Sequence, residues 1–110
     1  MPQFSIIDRH NKPLQVGLSI RIVHCVGRYG RVQCDEGVIE EIDRTYRGLT
    51  LRLANDSYRH TRDGRIPVKS GEQVYYSLPG QFNADSTVFR CFKVHEDIEH
   101  GHEAWVEIIP

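Results

Sequence analysis

Residues 18–26 read "LSIRIVHCV", and this stretch decides the fold. Leu18, Ile20, Ile22, His24 and Val26 fall on one side, with Ser19 and Arg21 on the other. A period of two is the mark of a half-buried β-strand, since successive side chains of an extended chain point to opposite faces. The same alternation recurs outward along the chain. Leu49, Leu51 and Leu53 alternate with Thr50 and Arg52; Val74, Tyr76 and Leu78 alternate with Tyr75 and Ser77; Ala104, Val106 and Ile108 alternate with Trp105, Glu107 and Ile109. Turn-forming clusters separate these runs at Asn11-Lys12-Pro13, Asp35-Glu36-Gly37, Arg47-Gly48, Asp63-Gly64, Ser70-Gly71, Pro79-Gly80 and Gly101.

One segment is open to two readings. Residues 85–101 lack proline and place Val88, Cys91, Phe92 and His95 at helical spacing. Thr87-Val88-Phe89 and Phe92-Lys93-Val94 are, however, rich in β-branched and aromatic residues. We therefore expect a strand over 87–95 pairing with 103–109 as a C-terminal hairpin. The expected fold is all-β: a small barrel of about six or seven strands with at most one short helix. A length of 110 residues fits a single domain spanning 1–110. Apolar residues at 39% and charged residues at 26% exclude a disordered composition.

The order Gly17, Ile20-Arg21-Ile22, Gly27, Gly30, Gly37-Val38-Ile39, Ile42, Leu49-Thr50-Leu51 resembles the opening of an SH3-like small barrel, and more narrowly a KOW-type motif. The resemblance covers about 35 residues and departs from the motif where residues 32–36 lie between the glycines. It implies a strand–loop–strand surface for RNA or protein.

The loop it would use is residues 26–39, "VGRYGRVQCDEGVI". Two turns fit, at Gly27-Arg28-Tyr29-Gly30 and at Asp35-Glu36-Gly37, with Gly30 and Gly37 supplying positive φ. Arg28, Tyr29 and Arg31 would then stand in solvent. Of the fourteen basic residues, eleven are arginine, the side chain that grips phosphate bidentately and stacks on rings. Net charge is only −1, yet the charges are segregated. Residues 44–69 hold seven bases against two acids, a net +5, while residues 95–110 hold five acids and no lysine or arginine, a net −5. Tyr46 and Tyr58 interleave with the basic region, as aromatics do in single-strand and RNA binders. The alternative is that the two charged regions pair with each other in the fold.

Chemistry has thin support. Cys91, His95, His100 and His102 supply four possible metal ligands in twelve residues, but at irregular spacing and with no CxxC anywhere. No metal or other cofactor is expected. His24 on an apolar strand face reads as a hydrogen-bonded core histidine. Phosphate-binding, nucleotide-binding, nucleophile-elbow and zinc-protease motifs are all absent from the sequence. With three cysteines, no secretory leader and a longest uncharged run of 12 residues, the expectation is a cytoplasmic protein with reduced thiols and no membrane span. The expected function is a non-enzymatic module binding single-stranded RNA or DNA through Arg28, Tyr29, Arg31, Arg44, Tyr46, Arg47, Arg59 and Arg62. The alternative is a protein-interaction module or small regulatory subunit, with a protein partner.

Overall fold

The computed structural model describes residues 4–26, 31–95 and 102–110; of Cys25, Val26, Arg31, His60, His95 and His102 it describes the backbone. Among the described residues there are strands and turns but no helix. The alternating runs become the strands of one antiparallel sheet. These are β2 (Ser19–Val26), β3 (Arg31–Asp43), β4 (Gly48–Leu53), β7 (Gln73–Ser77), β10 (Phe92–His95) and β11 (His102–Ile108), in the order β10-β11-β2-β3-β4-β7. Its inner face buries Ile20, Ile22, Ile39, Leu49, Leu51, Leu53, Tyr76 and Val106, the apolar members of each alternation. A second sheet is made of β1 (Ser5–Ile7), β8 (Gln81–Phe82) and β9 (Val88–Arg90), in the order β1-β9-β8. It contributes Ile6 and Phe89 to the same core. Two further strands, β5 (Ser57–Thr61) and β6 (Gly64–Val68), pair only with each other as a two-stranded ribbon inserted between β4 and β7.

The expected strand over 87–95 is two strands in two sheets. Cys91 is the crossing point: its N–H donates to the Ile7 carbonyl and its own carbonyl accepts from Val106. It is fully buried between the two sheets. Beyond it, Phe92 to His95 pair antiparallel with Trp105 to His102, so the expected pairing of the two segments holds for these four residues, and their connection lies outside the described residues. Asp8, also fully buried, is satisfied by the N–H groups of His10, Lys12 and Ile108 and ties the first strand's exit to the last strand's end.

The turn expected at Asp35-Glu36-Gly37 is not a turn. These residues lie within β3, which pairs Ile22 with Asp35 and Ile20 with Gly37 on one side and Gly37 with Leu53 on the other. Gly37 is needed for contact rather than for positive φ. A Cβ at this position would press into the Arg52 carbonyl of the neighbouring strand. The break in β3 comes later, as a bulge between Ile39 and Glu41. The extra residue shifts the alternation by one, so that Ile39 and Ile42 both contribute to the core although three positions apart.

Three strand spacings separate β2 from β7, about 14 Å in a flat sheet. Yet the rings of His24 on β2 and Tyr76 on β7 meet edge-to-face with centroids 5.4 Å apart. The sheet is therefore strongly curled, and its far edge folds back over β2 and β3. No helix among the described residues is long and apolar enough to cross a membrane. Gly37→Val should cost about 2–3 kcal/mol in urea denaturation, as overpacking of a tight contact does. Val38→Thr, next along the strand but exposed, should stay within about 0.5 kcal/mol. Equal tolerance of the two would contradict the close approach of β3 and β4.

Candidate nucleic-acid interface

The curl of the sheet gathers a polar cluster beneath the β5–β6 ribbon. Asp35 on β3 is its centre, with its carboxylate almost wholly out of water. His24 Nε2 lies 3.0 Å from Oδ2, and the Gln33 amide donates to the same oxygen at 2.8 Å. The Ser57 hydroxyl, at the start of β5, donates to Oδ1, and the Tyr76 hydroxyl hydrogen-bonds to the same carboxylate. The Gln33 amide also reaches Ser57 Oγ at 3.1 Å and the Tyr58 carbonyl at 3.0 Å. Burial by itself would disfavour the charge, but the bonds from His24, Ser57 and Gln33, with the positive field of His24, outweigh it. Asp35 is held below the usual carboxylate range. Burial, and then the Asp35 charge and hydrogen bond, push the Tyr76 hydroxyl far up, so it remains a neutral donor. His24 is thus hydrogen-bonded as expected, but it sits half-buried at the margin of the core rather than within it.

The ribbon rises from this root. Beyond Ser57 and Val68, every described side chain on it is exposed. Its register sets Ser57 opposite Val68, Tyr58 opposite Pro67, Arg59 opposite Ile66 and Thr61 opposite Gly64. Ser57 and Val68 turn toward the body, one onto Asp35 and the other against the core. Tyr58, two-residue alternation dictates, points away, and the Arg65 guanidinium lies over its ring at 4.5 Å. The turn at residues 62–63 adds Arg62 beside Asp63, the single acid among residues 57–68 against three arginines. Pro67 removes a backbone donor from β6, which blunts that edge against pairing with another strand.

The remaining expected residues fall elsewhere. Arg44, Tyr46 and Arg47 form the β3–β4 turn, at the opposite end of β3 from Gln33. Ten residues of extended chain separate the two ends, on the order of 30 Å. Arg44 donates to the Phe4 carbonyl and sits 6.0 Å from its ring. Arg47, in the left-handed conformation at φ 52°, lies 5.5 Å from Phe82 and 5.9 Å from Phe89. These two arginines stack on the protein's own rings. Tyr46 beside them is 75% exposed. Arg28 and Tyr29 lie outside the described residues; the backbone of Arg31 pairs with Val26. Of the five whose side chains are described, Arg44, Tyr46 and Arg47 therefore stand apart from Arg59 and Arg62. The ribbon brings together Arg59 and Arg62, and adds Tyr58 and Arg65, which the sequence showed only as members of the basic segment.

Among the described residues no ion pair joins segment 44–69 to segment 95–110. Arg52 pairs with Glu40 at 2.8 Å, Lys69 approaches Asp56 at 3.9 Å, and Glu107 is shared by Arg21 at 3.8 Å and His10 at 3.4 Å. The Ser57 hydroxyl is turned to the carboxylate rather than to the imidazole, which is not the nucleophile–base geometry of a hydrolase. Burial raises the Cys34 thiol above its ordinary value and pushes Cys91 up to about 12, with Asp8 adding to the second shift. Comparison with known protein families, with curated proteins and with solved structures finds no match.

The Asp35 cluster has a pH signature. A carboxylate whose folded-state pKa lies below its unfolded value stabilises the fold fully above the unfolded value, about 4, and loses that contribution as pH falls through the folded one. Asp35→Asn should therefore be less stable than the parent at pH 7 by about 3 kcal/mol, and the gap should narrow below pH 4. A difference constant from pH 7 to pH 3 would contradict an ionised Asp35.

Proposed function

We propose that this chain is a single-domain, non-enzymatic nucleic-acid-binding module built on a small barrel of the SH3-like kind. The curled six-stranded sheet supports the barrel; the exposed arginine ribbon carries the function. Arg59 and Arg62 meet no acid among the described residues, and their ribbon is anchored through Ser57 and Gln33 to a buried, fully bonded carboxylate. A rigidly rooted basic projection neutralises phosphates without the ordering cost of a loose loop. Binding of this kind positions the backbone and depends steeply on salt.

One observation favours a protein partner as the second reading. Among the described strands β10 is a sheet edge, and Val94 on it is exposed. An apolar edge interface would hold as salt rises, so salt dependence separates the two.

In fluorescence anisotropy at several salt concentrations, Arg59→Ala with Arg62→Ala should weaken binding to short oligonucleotides. It should also lower the salt slope by about 0.7–0.9 for each phosphate no longer neutralised. Arg44→Ala with Arg47→Ala should leave that slope unchanged and reduce thermal stability instead. If the second pair carries the slope, the ribbon is not the binding surface. If the parent binds no nucleic acid at low salt, the partner is a protein.

A further inference from the structure

The ribbon's shape and one fixed side chain point to the kind of nucleic acid, an inference that rests on the nucleic-acid reading above. A single-strand binder needs an open ring on which a base can stack. The only aromatic ring among the ribbon's described side chains, Tyr58, already carries the Arg65 guanidinium at 4.5 Å, and the open Tyr46 stands at the far end of β3. A ring capped in this way serves to hold the arginine rather than to receive a base.

Arg65 is correspondingly well placed. It is exposed, on the face turned away from the body, and among the described residues no hydrogen bond or ion pair occupies its N–H groups. The ring contact restrains the guanidinium while its N–H groups stay unoccupied among the described residues, so less freedom remains to be lost when two parallel hydrogen bonds form. The partner that matches such a fork on a base is guanine, through O6 and N7 in the major groove.

The ribbon itself matches that groove. Two antiparallel strands of five residues make a blade about 17 Å long with its strands about 5 Å apart, and the major groove of B-form DNA, roughly 12 Å wide, admits a two-stranded ribbon. The major groove of an A-form RNA duplex is deep and too narrow for side chains to read. Arg62 at the ribbon's outer end and Arg59 midway along it, on the opposite face from Arg65, would meet the phosphates at the groove's rim.

We propose that the β5–β6 ribbon enters the major groove of B-form DNA, with Arg65, held over Tyr58, as the residue that recognises guanine.

The test uses the intact chain and four probes in anisotropy titrations. These are a short guanine-containing DNA duplex, its separated strands, an RNA duplex of the same sequence, and the DNA duplex with 7-deazaguanine in place of guanine. The DNA duplex should bind at least tenfold more tightly than the strands or the RNA. The 7-deaza duplex, which lacks the N7 acceptor, should bind roughly tenfold more weakly. Arg65→Met keeps much of the length of the side chain but has no donor; it should abolish the difference between guanine and 7-deazaguanine while leaving the salt slope within experimental error, because Arg65 faces a base and not a phosphate. Tyr58→Leu should do the same in part, with Tyr58→Phe as the variant that retains the stacking and the discrimination. Circular dichroism confirms that each variant is folded. Equal or tighter binding to single strands, or indifference to 7-deazaguanine in the parent, overturns the groove assignment and leaves nucleic-acid binding standing. Absence of binding to every probe overturns both.

Discussion

The carboxylate of Asp35 lies almost wholly out of water and still carries its charge, because four side chains donate to it. They come from β2, β3, β5 and β7, so a single buried anion ties the middle of the sheet, its curled-over edge and the root of the ribbon together. An ionised carboxylate in such a place is tolerated only when its hydrogen-bonding capacity is met, and removal of a partner leaves a strongly penalised group. That constraint explains why His24, Gln33, Ser57 and Tyr76 converge. It also explains why the ribbon, which is exposed on both faces and would be marginal alone, has a fixed point of departure.

The sheet reaches this arrangement through local features of β3. Gly37 lets β4 come close, and the bulge after Ile39 resets the alternation for Ile42. The curl then places Tyr76 over His24. The arginine-rich composition has a structural explanation in the same terms. Arg9 stacks on Trp105 at 4.5 Å, Arg44 on Phe4, Arg47 on Phe82 and Phe89, and Arg90 on Phe92 at 5.4 Å. Much of the arginine content thus shields the rings of the chain's own surface. What distinguishes Arg59 and Arg62 on the ribbon is that, among the described residues, neither an acid nor a ring engages them.

The alternating runs were legible because each strand of the large sheet has one buried face, and the period of two survives in Leu49, Leu51 and Leu53 or in Ile20 and Ile22 without any knowledge of partners. β3 was not legible in the same way. Its inward positions at 35 and 37 are an aspartate and a glycine, and an acid-acid-glycine triplet has the composition of a turn. Only the donors that surround Asp35, drawn from distant parts of the chain, reverse that expectation. The division at Cys91 was hidden for a related reason: β9 and β10 are both β-rich and one residue apart, and the change of sheet is set by hydrogen bonds to Ile7 and Val106. Within the candidate site, basic character was visible in segment 44–69, but grouping was not. Arg44 and Arg47 are near Arg59 in sequence and lie at the other end of β3, while Arg65 meets Tyr58 only through the ribbon's cross-strand register.

The most direct test of an Asp35-rooted ribbon as the binding surface is backbone amide shift mapping of the isotope-labelled chain during titration with a short DNA duplex. The largest changes are expected in residues 57–68, with smaller changes spreading through the hydrogen bonds to Gln33, Asp35 and the His24 ring. Changes confined to residues 44–47 or to the β10 edge, with the ribbon unmoved, would contradict it.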